Sequence, residues 1–317
     1  MLPSYHKFTA ILIGLAGSGT AQSQVLFTSS LDSTTGWTTV QEAVPSSLAT
    51  FGYDYSTIGI PASPNGGGST RGLRLAANSN TTVQVITAAT TATFSGNYRV
   101  TFDFWGNSVG PFPVGGTGAT EYLGGGVGFS GISPRAGASL LMTIEAGSSI
   151  DYRLDKAAAP QTVSAGGPYN PAIASRDNSD PYFSSAFIGQ SPPSAQTTLF
   201  PATQTGTIAN GGIGFKWYSM QIDVDSILGT ATFSVLNPAS SVLTNIGTLN
   251  QTGTAVPVTG SGSLTLLDSF ATSVSNASLT DDLVFAVFDN YRVVQIPEPS
   301  SIGLLGLAGL LAKRRRR

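Results

Sequence analysis

The sequence predicts an all-β fold: a single two-sheet, jelly-roll-like sandwich over residues 24–295, flanked by an N-terminal signal peptide (1–23) and a short C-terminal apolar helix within 296–317. Three observations lead there. Only 10% of the 317 residues are Asp, Glu, Lys or Arg, while 41% are hydrophobic and 38 are Gly; Thr and Val favour strands, and Gly favours tight turns. Short runs that alternate apolar and polar side chains recur between Gly, Pro, Asn and Ser breaks. Helical patterns of about 10–15 residues do not separate these runs, so a βαβ arrangement is not expected.

In chain order, Met1 to Ser23 starts with His6 and Lys7 and continues through the apolar stretch FTAILIGLAG. It ends in small residues, with Ala21 and Ser23 placed for a signal peptidase cut before Gln24 or after Ala21. VLFTSSL opens the domain, followed by a turn at Asp32 to Gly36 and then Trp37. PASPNGGGSTRG (61–72) reads as a loop. YRVTFDFWGN (Tyr98 to Asn107) puts Val100, Phe102 and Phe104 on one face and Thr101, Asp103 and Trp105 on the other. EYLGGGVGFS is a glycine-rich strand whose missing side chains admit a bulge or a closely packed layer. SLLMTIEAG, SIDYRLD, GFKWYSMQIDVD, TATFSVLNPA and LVFAVFDNYRVVQI follow the same logic. Trp105 and Trp217, inside strand patterns, are expected in or against the core. The Pro/Ser/Asn-rich stretch 157–204 is too broken for continuous strands and long for a structureless connection, so it is expected to be a functional flap or to contain further strands.

The last stretch, IPEPSSIGLLGLAGLLAKRRRR, runs from Ile296 to Arg317. Pro297 and Pro299 stop the preceding strand from running into the helix. As a helix, Ile302 to Ala312 is about 17 Å long at ~1.5 Å per residue, short of the ~30 Å hydrocarbon core, and so a poor permanent anchor. The terminal arginines stay on the cytoplasmic side, which presents Pro-Glu-Pro at the outer face. This order of parts resembles the PEP-CTERM sorting signal of Gram-negative bacteria that make extracellular polysaccharide. Ile296 stands where Val is frequent in that family. The resemblance implies that Pro297, Glu298 and Pro299 are recognised by exosortase, a membrane transpeptidase. It also implies that the helix and Arg314, Arg315, Arg316 and Arg317 hold the chain in the inner membrane only transiently, before release or attachment outside.

The domain itself opens VLFTSSLDSTTGW, carries YRVTFDFWGN and GFKWYSMQIDVD, and closes with VFDNYRVV. In this it is similar to the concanavalin A/laminin-G-like sandwiches of exported bacterial proteins with the same tail. That similarity implies the fold and allows carbohydrate binding; it identifies no catalytic residue.

Composition excludes several chemistries. The chain has no Cys, and its single His, His6, lies in the leader. The domain therefore has no Ser-His-Asp or Cys-His catalysis and no zinc site built on thiolate or imidazole. Residues 24–295 hold nine basic and sixteen acidic side chains, a net of −7, with no basic stripe for nucleic acid. Catalysis would fall to carboxylates. Glycoside hydrolysis needs two of them, about 5–5.5 Å or ~6.5–9.5 Å apart. The only domain glutamates are Glu42, Glu121 and Glu145, and no E-x-D-x-E or E-x-D-x-x-E pattern occurs. Asp223 and Asp225 share a strand face and read as exposed residues of the polar side.

Calcium needs only oxygen ligands, and two places offer them. RDNSDPY carries Asp177, Asn178 and Asp180 in one loop. Asp32, after the first strand, and Asp289 with Asn290, in the last, would tie the terminal strands together, which often pair in sandwiches of the resembled kind. Asx turns account for the same residues without a metal. For glycans, Tyr53 and Tyr55 beside the glycine-rich loop, and Tyr169 and Tyr182 along the long segment, are the candidate aromatic faces.

Three functions stay open: a non-catalytic surface or matrix protein associated with exopolysaccharide, a carboxylate-dependent polysaccharide-active enzyme, and a structural surface protein without ligand. Two acids facing each other across a concave groove would favour the enzyme. A concave face filled with Thr, Ser and Val would favour the structural protein.

Overall fold

A computed structural model describes residues 23–41, 48–76, 84–113, 121–130, 137–145, 152–155, 181–250, 259–268 and 283–297. The strands in the first half of the chain are β1 (Val25–Ser29), β2 (Trp37–Gln41), β3 (Leu48–Asp54), β4 (Arg71–Ala76), β5 (Gln84–Phe94), β6 (Tyr98–Asn107) and β7 (Glu121–Phe129). Those that follow are β8 (Ala138–Thr143), β9 (Tyr152–Asp155), β10 (Trp217–Asp225), β11 (Thr230–Asn237), β12 (Val242–Leu249), β13 (Gly260–Asp268) and β14 (Phe285–Gln295). They form two antiparallel sheets, so the expected all-β sandwich is the fold. The larger sheet runs β12-β11-β10-β6-β14-β4-β3, and the smaller β2-β5-β13-β7-β8-β9.

β14 is long enough to serve two partners on one edge. Its first half pairs with β4, from Phe285 opposite Ala76 to Phe288 opposite Leu73. Its second half pairs with β1, from Ser29 opposite Tyr291 to Val25 opposite Val294. The terminal strands thus pair as expected, and the Gln295 N–H donates to the carbonyl of Gln24 at 2.8 Å.

Period-two alternation fills the core between the sheets. Phe102, Phe104, Tyr218, Met220, Phe288 and Tyr291 come from the larger sheet and meet Leu123, Leu140, Met142, Leu264 and Leu266 from the smaller. The glycine run of β7 is a close layer, as its sequence suggested. A Cβ on Gly125 would stand 2.5 Å from the Ser263 carbonyl oxygen and 2.7 Å from the Phe102 ring, so the ring of one sheet rests on the bare backbone of the other.

The stretch expected to be a flap or to hold strands contains, in its described part, two short helices instead: α1 (Pro181–Ala186) and α2 (Ser194–Leu199). Pro193, at φ −54°, leads into α2, where its lack of an N–H costs nothing. A buried amide chain holds this segment to the end of β6. Gln196 Nε2 donates to Asn107 Oδ1 at 2.7 Å. Gln204 Nε2 donates to Gln196 Oε1 at 2.9 Å and to the Ser108 carbonyl at 2.9 Å. Asn107 Nδ2 donates to the Leu283 carbonyl at 2.7 Å. All three amides have 0% exposure, and a buried polar group stripped of its partner loses its solvation without compensation. Gln196→Ala is therefore expected to cost about 1–3 kcal/mol, read as a lower urea midpoint at unchanged m-value.

Among the described residues no helix is long and apolar enough to cross a membrane. The expected C-terminal apolar helix and the signal peptide lie outside the described residues.

Candidate functional site

The same alternation that buries one face of the larger sheet writes the chemistry of its other face. Across the strands the registers align three rows. The first is apolar: Trp105 of β6 lies opposite Trp217 of β10 and opposite Val287 of β14. It is buried with Tyr55, Ile60, Phe112, Ile208, Phe215 and Phe285, so both tryptophans are covered as expected. The second is acidic and hydroxylic: Asp289 lies opposite Asp103, and Asp103 opposite Ser219. The third is Thr28, Arg292, Thr101, Gln221 and Ser234 across β1, β14, β6, β10 and β11. Beyond it, Arg99 forms a two-pronged ion pair with Asp223, its Nη2 3.0 Å from Oδ2. Asp225 caps a turn by accepting from the N–H groups of Ile227 and Leu228 at 2.9 Å each. The Asp223/Asp225 pair is thus committed to the polar face, as its position suggested.

A bulge sets the second and third rows. The β14–β6 register shifts between Asp289 and Arg292, and Asn290 takes φ +55°, a left-handed conformation that Asn tolerates better than most residues. The extra residue lets Asp289 and Arg292 both face outward while Tyr291 enters the core.

The loop 61–70, a loop as expected, then folds over the acidic row. Ser63 Oγ donates to Asp289 Oδ2 at 2.7 Å, and Tyr55 Oη donates to the same oxygen at 3.0 Å. The Asn290 N–H donates to Asp289 Oδ1 at 2.7 Å. Asp103 accepts from Ser219 Oγ, from Asn65 Nδ2 at 2.8 Å, from the Asn65 N–H at 3.1 Å and from Asn290 Nδ2 at 2.9 Å. Trp217 Nε1 holds the start of the loop through the Pro61 carbonyl at 2.7 Å. Gly66 lets the loop come down: a Cβ there would sit 3.2 Å from Asp289 Oδ2 and 3.3 Å from Asn290 Nδ2.

Asp103 and Asp289 are 0% and 1% exposed. Burial, chiefly, with the nearby Asp103 carboxylate adding to it, pushes the Asp289 carboxyl up to about 6 against the three donors that favour its charge. Burial and the Asp289 charge push the Tyr55 hydroxyl above its ordinary range.

Beside the loop the third row is open at Thr28, Arg292 and Thr101. These three line a groove of about 890 Å³ together with Ser29, Ser30, Ser33, Thr35, Asn65, Ser219 and Leu236, with Asp103 and Asn290 at its inner end. Phe102 and Tyr291 also border it, but both side chains are buried in the core. Apart from Leu236, the groove is a surface of hydroxyls and amides with one cation.

The residues expected to act fall out as follows. Tyr55, expected at the surface as a sugar-stacking face, is instead wholly buried. Its ring meets Trp217 edge-on at 5.4 Å, and its hydroxyl donates inward to Asp289. Tyr53 is half-buried, lies outside the groove walls, and carries the Arg74 guanidinium 5.4 Å above its ring. The backbone of Tyr182 lies in α1; Tyr169, Asp177 and Asp180 lie outside the described residues.

The expected calcium set does not assemble. Asp289 and Asn290 are adjacent, but Asp289 is ringed by hydrogen-bond donors, the surroundings of a satisfied carboxylate and not of a cation ligand. Asp32 is exposed, with its carbonyl against Gly52. Among the described residues no three His, Cys, Asp or Glu side chains group for a metal, so these three residues as placed do not fit one. Of the sorting residues, Pro297 is exposed at the end of the described chain; Glu298, Pro299 and Arg314 to Arg317 lie outside it.

Comparison with known proteins adds the following. Residues 295–317 match the family model of the PEP-CTERM protein-sorting motif, so the chain ends in such a motif. No curated protein matches the chain in sequence. Among solved structures, a Bacillus subtilis protein of unknown function with a galectin-like fold is 12% identical, with 86% of this chain and 98% of that one covered and a TM-score of 0.40. The exoplasmic/lumenal domain of VIP36 in a Ca2+/Man2-bound form is 7% identical, with 84% and 83% covered and a TM-score of 0.44. Basic winged bean lectin with Tn-antigen is 10% identical, with 86% and 98% covered and a TM-score of 0.37.

Proposed function

We propose that this is an exported cell-surface or matrix protein of a Gram-negative bacterium, sorted by exosortase, whose β-sandwich binds glycan without catalysis in the groove of the larger sheet. The carrying observation is the open row Thr28–Arg292–Thr101, with the serines of 29–33, Thr35 and Asn65 around it, beside a pair of carboxylates that the 61–70 loop keeps from solvent. Hydroxyl and amide side chains fixed on adjacent strands give directional hydrogen bonds to sugar hydroxyls, and a rigid sheet holds them without an ordering cost on binding. Asp103 and Asp289 are cross-strand neighbours, the arrangement a glycosidase would use. Their oxygens are occupied by Tyr55, Ser63, Asn65, Ser219 and Asn290, however, and Asp289 has no open approach, which argues for binding over hydrolysis.

Sorting rests on the motif at 295–317. It gives the tail its partners: the inner membrane transiently, then exosortase, after signal peptidase has acted on residues 1–23. Mass spectrometry of the protein recovered from its host is expected to find C-terminal peptides that stop before Arg314; recovery of Arg314 to Arg317 in exported material overturns this part. The same exported protein, on a glycan array with calcium and with chelator, is expected to bind polysaccharide without releasing shortened products. The chelator arm reads whether calcium at Asp177 and Asp180 contributes. Absence of binding across the array leaves a structural surface protein, and released oligosaccharide leaves the enzyme.

A further inference from the structure

We propose that the glycan taken by the groove is acidic, and that Arg292 is the residue that selects it by pairing with its carboxylate, sulfate or phosphate groups. This rests on the groove being the binding site.

The cations of the described residues carry the argument. Arg71 Nη1 donates to the Gly52 carbonyl at 3.2 Å. Arg74 lies over Phe285 at 4.8 Å, and Arg153 over Tyr122 at 4.3 Å. Lys216 lies 5.6 Å from the Tyr218 ring centre, and Arg99 is paired with Asp223. Arg292 is the exception: it is exposed, it lines the groove, and among the described residues its guanidinium has neither ion pair nor ring partner. The groove's carboxylate, Asp103, is wholly buried at the inner end and already accepts from Asn65, Ser219 and Asn290, so it does not satisfy the arginine.

Backbone register keeps Arg292 in place. It stands between Thr28 of β1 and Thr101 of β6, so a threonine lies on either side of it across the sheet and both line the same groove. A guanidinium presents a planar fork of donors that matches a carboxylate or sulfate with two parallel hydrogen bonds. Hydroxyls and amides beside it serve the neighbouring sugar hydroxyls. In a domain with a net charge of −7, general attraction for polyanions is absent, so affinity for an acidic polymer has to come from a local cation.

The exported protein and its variants are run through gels containing dextran (neutral), polygalacturonate (uronate) or dextran sulfate, at low salt. Wild type is expected to be retarded at least about tenfold more strongly by one or both polyanions than by dextran, and to lose that preference in salt. The stronger of the two identifies the anionic group. Arg292→Gln is expected to lose about tenfold toward the polyanion and to keep its dextran retardation. Arg292→Lys keeps part of the preference, and Arg71→Gln, outside the groove walls, keeps all of it. Circular dichroism checks that each variant folds. Equal retardation of wild type by dextran and both polyanions, or an Arg292→Gln variant that matches wild type on the polyanion, overturns the selectivity while leaving the groove as a glycan site. Failure of all three polymers to retard the wild type overturns both.

Discussion

Replacing Phe102 by Ala is expected to destabilise the protein by about 3–5 kcal/mol, the range for emptying a buried aromatic site. The ring is 1% exposed. It stacks on Tyr291 at 5.9 Å and 10°, meets Phe288 at 5.9 Å, and lies 6.2 Å from Phe104. Across the sandwich it rests on Gly125 of β7. The cavity left behind has poor prospects of closing, because one wall is the bare backbone of β7 at Gly125 and the others are aromatic rings held on the strands of the larger sheet. Filling it from the other side fails as well: Gly125→Ala sets its methyl 2.5 Å from the Ser263 carbonyl oxygen, so the double variant is expected to be no more stable than Phe102→Ala alone. Urea unfolding followed by tryptophan fluorescence measures both. A loss below about 1 kcal/mol for Phe102→Ala would mean that the ring does not hold the sheets together.

The second large effect is a pH dependence centred on Asp289. Its folded pKa, about 6, lies above the ordinary 3.8. The folded state therefore binds the proton more tightly than the unfolded chain does. Stability from this group is full below pH 3.8 and is lost as pH rises through about 6. A shift of that size corresponds to about 3 kcal/mol. The groups that face it are Asp103, whose charge works against ionisation, and Tyr55, which donates to it. Asp54 acts in the opposite sense: hydrogen bonds, first from the Ser56 hydroxyl, hold its carboxyl below the ordinary value, so its contribution is lost only on acidification below the window of interest. Wild type is thus expected to lose stability between pH 4 and pH 7.5 through Asp289, and Asp289→Asn, which cannot ionise, to flatten that slope. The difference in urea midpoint between the two proteins at the two pH values is the measurement. An equal difference at both would show that the buried carboxyl titrates like an exposed one.

Much of this architecture was legible in the residues because strand alternation is a local signal. YRVTFDFWGN separates Phe102 and Phe104 from Thr101, Asp103 and Trp105 without reference to anything else, and β6 occupies that very stretch. Other strands carry less contrast. QVITAATTATF of β5 is mostly Ala and Thr, which mark neither face, and the six-residue helices α1 and α2 are too short to display a helical period. The site depends on contacts remote in sequence. Nothing near Tyr55 announces that the 61–70 loop will cover it, and the Tyr53/Tyr55 alternation says only that they share a face. Asp103 and Asp289 become neighbours through the register of β6 with β14. Thr101, legible as outward-facing within β6, meets Thr28 and Arg292, both unremarked within their own strands, by the same means. A search for polar residues on the outward face of every strand would have found the row's members, though not their order.

The place of β14 fixes when the domain can close. Eleven residues that come last before the tail fill the gap between β6 on one side and β4 and β1 on the other. Until they arrive, three strands hold unpaired edges and the core lacks Phe288 and Tyr291. A chain made from its amino end therefore cannot complete the larger sheet until these residues have been added. A ribosome that stalls ahead of Phe285 would release a fragment with bare strand edges on β1, β4 and β6, a natural substrate for proteases.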